Sequence, residues 1–250
     1  MPFGSRTAKV LSVSEERRGM DWRKQSPGGS PPGQPIQPAS TSRMASERQR
    51  LFAWALAHFS GIYEKKLADT KRSLFSDISG TIIEIGPGTG TNLSYFSHNV
   101  RWIGIEPNPF MDQYLWKRAE ALGLQLEIRR GTAEDLPAAD SSADAVVSTL
   151  VLCSVGDVAR ALSEILRVLK PGGRLVFVEH VAAPRGTWLR RFQTWVKPAW
   201  KRLGDGCHPD RETWVALERA GFAKLDYSHF RVSIPLVSPQ IAGIAVKSKH

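Results

Sequence analysis

Residues 81–92 read T-I-I-E-I-G-P-G-T-G-T-N, a run of strand formers that breaks into three glycines within five positions. Glycine costs roughly 0.5–1 kcal/mol relative to alanine inside regular structure. Three of them at a strand end therefore imply backbone kept bare for a close neighbour. Further short apolar runs follow at 102–105 (W-I-G-I), 126–128, 145–152 (A-V-V-S-T-L-V-L) and 175–178 (L-V-F-V). Helical periodicity separates them, at 109–122 after Asn108 and at 158–169 after Asp157. The second pattern puts Val158, Ala161, Leu162, Ile165, Leu166 and Leu169 on one face and stops at Pro171-Gly172-Gly173. Short strands alternating with helices predict an α/β fold with a mostly parallel sheet covered on both faces. A helix over 211–220 and two runs at 224–230 and 241–246, joined through Pro235 and Pro239, predict a terminal antiparallel pairing.

Upstream of the glycine stretch, Leu51, Phe52, Ala55, Leu56 and Phe59 recur at helical spacing behind Ser46, which is expected to cap that helix. Residues 1–46 differ in kind. They contain S-P-G-G-S-P-P-G-Q-P-I-Q-P, with little to bury, and are expected to form a disordered basic tail ahead of a domain spanning 47–250. Met44 offers a second start ahead of the helical pattern, and Glu15, Glu16 and Asp21 argue against a transit peptide.

At 250 residues and 42% apolar content, the chain suits one substantial α/β domain with appendages. The formal charge is +10, but the first 46 residues hold seven Lys/Arg against three Asp/Glu, leaving 27 basic and 21 acidic afterwards. That remainder favours a solvated surface over a nucleic-acid face. Cys153 and Cys207 form no disulfide framework and match no zinc spacing, so a reducing compartment and no metal are expected. No run of 18 apolar residues and no secretory leader is visible, which points to a cytoplasmic protein.

In an open parallel sheet, ligands sit at the carboxyl ends of the strands. Gly86, Gly88 and Gly90 lie there, with amides suited to an anionic group. A pyrophosphate fingerprint would need a sixth-position glycine, where Thr91 stands, and this counts against a nicotinamide-dependent dehydrogenase. Glu106, in G-I-E-P-N-P twenty residues after Gly86, could accept from a ribose diol or simply cap the turn at Asn108-Pro109.

These stretches, in this order, resemble the class I S-adenosylmethionine-dependent methyltransferases. Glu84 with G-P-G-T-G resembles the first motif, Glu106 the acid after the second strand, and A-E-D-L-P (133–137) the adenine-side loop. Asp144-Ala145-Val146-Val147 and L-R-V-L-K-P-G-G-R-L (166–175) resemble the later motifs. T-L-V-L-C-S-V, E-H-V-A (179–182) and W-K-R-L-G-D-G-C (200–207) are similar to the animal methyltransferase-like alkyl thiol methyltransferases, with the quinone-ring methyltransferases nearby. The resemblance implies a Rossmann-like sheet of seven strands, ordered third-second-first-fourth-fifth-seventh-sixth, the last antiparallel. It implies S-adenosylmethionine, leaving as S-adenosylhomocysteine. Glu84, Gly86, Gly88, Gly90 and Asn92 would hold the amino-acid end, Glu106 and Pro107 the ribose, and Ala133 and Glu134 the adenine. Leu150 and Cys153 would lie alongside, although Leu150 could equally be plain sheet core. Two departures matter. Relatives often carry an aspartate where Thr132 stands, and the animal thiol enzymes begin with a hydrophobic anchoring segment where this chain has its polar tail.

Methyl transfer needs proximity, alignment and exclusion of water, and a base only if the acceptor must lose a proton. Candidates for that base are His180, Glu179 and Asp205; His180 could merely bond a loop, and Asp205 between two glycines could be a turn former. Cys207 and His208 are expected at the acceptor mouth. Trp188, Leu189, Phe192, Trp195, Val196, Ala199 and Leu203 recur at helical spacing with Arg190, Arg191, Lys197, Lys201 and Arg202 between them. This pattern suits an amphipathic helical segment at about 186–206, packed on the domain or closing as an aromatic lid over an apolar acceptor. Trp188 and Trp195 would then touch substrate, and the basic face permits peripheral contact with anionic membrane. The expected partner is a small apolar molecule, foremost a thiol, then a quinone or other lipid. No nucleic acid and no obligate protein partner are expected. A non-catalytic cofactor-binding module is the alternative of a different class.

Overall fold

The isoleucines that open the glycine stretch form the first strand, β1 (Thr81–Ile85), at the middle of the sheet. A computed structural model describes residues 43–249. Beside β1 run β2 (Arg101–Ile105), β3 (Glu127–Arg129), β4 (Ala143–Thr149) and β5 (Leu169–His180), all parallel. The last strands are β6 (Lys224–Arg231) and β7 (Pro239–Val246), and β7 runs antiparallel to both β5 and β6. The order β3-β2-β1-β4-β5-β7-β6 is the expected one.

Alternation along the central strands feeds two cores, because successive side chains point to opposite faces. Ile83, Ile85, Val146, Leu175 and Phe177 pack on one face with Leu162 and Ile165 of α3 (Val158–Val168) and Leu217 of α5 (Thr213–Arg219). Ile82, Ala145, Val147 and Val176 pack on the other with Phe75 of α1 (Arg43–Phe75) and Leu115 and Ala119 of α2 (Asp112–Leu122). The remaining helix, α4 (Trp188–Leu203), leads into the loop that returns to the site.

Several boundaries differ from expectation. The helix α1 already runs at Arg43, so Ser46 lies inside it rather than capping it. The tail expected over 1–46 otherwise lies outside the described residues. Pro171-Gly172-Gly173 is not a turn before β5 but an irregularity within it: the pairing jumps from Ala143↔Leu169 to Ala145↔Arg174. No helix among the described residues is long and apolar enough to cross a membrane.

Candidate active site

A cavity of about 530 Å³ opens at the carboxyl ends of β1, β2, β4 and β5, a size ordinary for small-molecule sites. The loop after β1 supplies Gly86, Pro87, Gly88, Thr89, Thr91 and Asn92. Gly86 and Gly88 both take φ of +56°, in the left-handed region where a Cβ is penalised. A Cβ on Gly86 would stand 2.7 Å from Val151, and one on Gly88 would stand 3.2 Å from Leu56. Gly90 is a correction: it does not line the cavity, and its bareness makes room for Leu115, 2.6 Å from where a Cβ would sit.

Beneath that loop, Glu84 is fully enclosed and accepts from Asn92 Nδ2 and Trp102 Nε1, both at 2.8 Å. Burial pushes its carboxyl up to about 7 against the pull of those two donors. Asn92 Oδ1 is buried with no partner among the described residues, an acceptor left for a donor from the cavity. Glu106 accepts from Gly88 N and Asn108 N, both at 2.9 Å, one on each oxygen. Each oxygen keeps a second lone pair, and burial again pushes the carboxyl up to about 7. Glu106 thus faces the cavity and braces the turn at once. An anchored carboxylate pair, an orphaned amide oxygen and a glycine cradle fit an amino acid joined to a ribose, which is what S-adenosylmethionine presents.

Pro107, Thr132, Ala133 and Glu134 line the cavity beyond Glu106, with Glu134 Oε1 fixed by the Gly156 amide at 2.7 Å. On the opposite side, Leu150, Val151 and Cys153 follow β4. Leu150 takes φ of +60°, which is costly for leucine and suits a residue held at a functional turn. Glu179 is placed differently from expectation. It is 0% exposed and does not line the cavity. Its Oε1 instead accepts from Ser148 Oγ at 2.6 Å and from the amides of Val151 and Leu152, both at 3.1 Å. Arg211 Nη1 holds the carbonyls of Leu152 and Val155, both at 2.7 Å. The loop after β4 is therefore pinned from two sides.

At the far end lie His180, Trp200, Asp205 and Cys207, with Phe52, Leu56 and Ser60 of α1 across from the glycine loop. Asp205 takes φ of +46° between two glycines, and burial raises its carboxyl while Arg48 opposes the rise. Cys207 Sγ accepts from Trp200 Nε1 at 3.2 Å and lies 3.8 and 3.9 Å from the two ring nitrogens of His180. The Cys153 thiol leans on Cys207 and holds it well below the usual thiol range, while Cys153 itself is pushed up. His208 is a correction: it does not line the cavity, and its backbone amide bonds the Cys153 carbonyl at 2.9 Å.

Trp188 and Trp195 are also corrected. They are 75% and 77% exposed and line no part of the cavity. The aromatic of α4 that does reach it is Trp200. In the sequence Trp200 stands out only as part of W-K-R-L-G-D-G-C, and Phe52 and Leu56 only as members of a helical repeat. Their contact with the site depends on where α1 lies over the sheet, which periodicity does not encode.

A methyltransferase-domain family model matches residues 83–177, from the middle of β1 to near the end of β5. Over 212 residues the chain is 43% identical to the human (Homo sapiens) thiol S-methyltransferase TMT1A, covering 80% of this chain and 87% of that protein. The chain belongs to the class I S-adenosylmethionine-dependent methyltransferases. This methyltransferase is also 40% identical to human thiol S-methyltransferase TMT1B, covering 78% of its own length and 86% of the relative's. Its fold matches the crystal structure of the [4+2]-cyclase SpnF with a TM-score of 0.58 at 21% identity, over 73% of this chain and 82% of that one. A cyclase on the same architecture shows that the fold alone does not fix the chemistry.

Proposed function

We propose that this methyltransferase transfers the methyl group of S-adenosylmethionine to the sulfur of a small apolar thiol. The observation that carries the acceptor is the 43% identity to a thiol S-methyltransferase across 87% of that relative's length. The lining of the cavity is compatible with this: Phe52, Leu56 and Trp200 give it apolar surface beside His180, Asp205 and Cys207. In this reading Glu84 and Asn92 hold the ammonium of the donor, the amides of the glycine loop hold its carboxylate, Glu106 holds the ribose, and Ala133 and Glu134 border the adenine. Bound there, the donor supplies an activated methyl group on a sulfonium. The protein aligns a nucleophile with it and keeps water away. A thiol attacks as its thiolate, so its proton must leave at the end lined by His180, Cys207 and Asp205.

Incubation with S-adenosylmethionine and a short alkyl thiol, followed by mass spectrometry, should give the methyl thioether. Methylation of a demethylated quinone or a lipid amine, with no thioether formed, would move the acceptor to the runner-up class. Donor binding with no turnover on any of these acceptors would favour the non-catalytic module.

The two tryptophan faces of α4 separate in the same assay. Trp200→Ala should raise the acceptor KM roughly tenfold, about the 1.4 kcal/mol expected from losing part of an aromatic contact. Affinity for S-adenosylhomocysteine should be unchanged. Trp195→Ala should leave acceptor KM where it was; a rise there would return the exposed face of α4 to the acceptor site.

A further inference from the structure

Cys153, His180 and Cys207 come from three separate segments, after β4, at the end of β5 and after α4. Their spacing in sequence matches no metal motif, yet the fold gathers them. One ligand atom of each lies within 4.8 Å of the other two, and all three residues are buried. Zinc bonds of about 2.3 Å to sulfur and 2.0–2.1 Å to nitrogen, set tetrahedrally, separate sulfur from nitrogen by about 3.6 Å and sulfur from sulfur by about 3.8 Å. Cys207 Sγ already stands 3.8 and 3.9 Å from the His180 nitrogens, so a turn of the imidazole and a small inward shift would close the set. Two thiols and one imidazole are a donor set for zinc rather than for magnesium or calcium. The Trp200 indole N–H on Cys207 Sγ is the kind of outer contact that orients a metal ligand. The Cys153 backbone is likewise tied down by the His208 amide.

We propose that Cys153, His180 and Cys207 hold one zinc-class divalent ion whose fourth position opens on the cavity and takes the acceptor thiol. Three protein ligands with one open position is the pattern of catalytic rather than structural zinc. All three residues line the same cavity as Gly86, Gly88 and Glu106, so the open position lies on the donor's side. The catalytic part of this proposal rests on the thiol reading above. The acceptor's S–H bond breaks as its sulfur bonds the ion, and the proton leaves to water. The thiolate then uses one electron pair to form the new S–C bond to the methyl group. The donor's C–S bond breaks with its pair returning to the donor sulfur, which becomes the neutral thioether of S-adenosylhomocysteine. The methylated acceptor is now a neutral, weaker ligand and departs. With the ion bound, His180 is a ligand and not a base.

The test uses the full chain, stripped with a chelator under reducing conditions and titrated with Co²⁺. Thiolate-to-cobalt charge-transfer absorption and tetrahedral d–d bands should appear at one ion per chain. They should be lost in Cys153→Ser and in Cys207→Ser, and weakened in His180→Gln, while far-ultraviolet circular dichroism and a cooperative thermal transition show that each variant is folded. Absence of the bands in the reduced wild-type chain overturns the site. If a Cys153–Cys207 disulfide then forms on air exposure, the two thiols are a redox pair instead. Where the bands appear, metal removal should lower kcat/KM for an alkyl thiol by roughly tenfold or more at pH 7, and Zn²⁺ should restore it. The expected size reflects a free thiol of pKa about 8.5 being only a few per cent ionised at that pH. Full activity in the metal-free chain would overturn the catalytic role and leave the thiol reading intact. A loaded chain that methylates no thiol would instead sink the thiol reading and leave the ion in place.

Discussion

Glu106→Ala should weaken S-adenosylhomocysteine binding by roughly 10- to 100-fold, the range for losing hydrogen bonds to a charged acceptor. The more informative result comes from pH. Glu106 and Glu84 are both pushed up to about 7 by burial, so part of each population is protonated at neutrality in the ligand-free protein. A carboxyl raised by folding stabilises the native state below its ordinary range, and that contribution is lost as pH climbs through about 7. The ligand reverses the preference, because ribose hydroxyls and an ammonium group donate to the ionised forms. Affinity for S-adenosylhomocysteine should therefore rise from pH 6 to pH 8 and then level off. Calorimetry in two buffers of different ionisation enthalpy should register proton release below pH 7. Glu106→Gln should remove part of that release and Glu84→Gln much of the remainder. An affinity flat across the range in the wild-type protein would mean that neither carboxyl titrates against the ligand.

What could be read from sequence was whatever has a local physical cause. The parallel sheet followed from short runs such as 82–85 and 145–152 alternating with helices, and the strand order from the family resemblance; Asp157 does accept from the Arg160 amide. Glu106 was legible as an acid at the end of the second strand that could cap the turn at Asn108, whose amide it does accept. Its second task, accepting the Gly88 amide, was not, since it depends on how two loops approach. The α4 tryptophans failed for a geometric reason. At about 100° per residue, Trp200 lies roughly 140° around the helix from Trp195, so one face cannot present both, and periodicity does not say which face turns inward. Gly86, Gly88 and Gly90 looked like one device. They are bare for three neighbours, Val151, Leu56 and Leu115, and only the first two glycines face the cavity. The gathering of Cys153, His180 and Cys207 was invisible for the most basic reason: 27 positions lie from each to the next, and only the assembled sheet and the return of the chain after α4 bring them together.

Glu179→Ala should unfold the protein more than it slows it. Glu179 and His180 are adjacent at the end of β5, where side chains alternate between faces, so the two cannot both serve the acceptor. His180 lines the cavity, and Glu179 instead gathers three donors from Ser148, Val151 and Leu152. Alanine would leave buried donors without an acceptor, at roughly 1–3 kcal/mol for each one left unsatisfied. A net loss of about 3 kcal/mol would lower Tm by roughly 6–12 °C in a protein of this size. Cofactor affinity should fall with it, because the same loop carries Leu150, Val151 and Cys153 to the cavity. Glu179→Gln is the discriminating control. Burial raises the carboxyl of Glu179, and its Oε2 has no partner among the described residues, so an amide resembles the protonated acid and keeps one oxygen for the three donors. Its Tm should stay close to wild type, with kcat largely retained. A group that took the acceptor's proton would behave in the opposite way, with Glu179→Gln keeping Tm and cofactor binding while kcat fell a hundredfold or more. That outcome would return Glu179 to the chemistry and require the loop after β4 to open far enough to expose it.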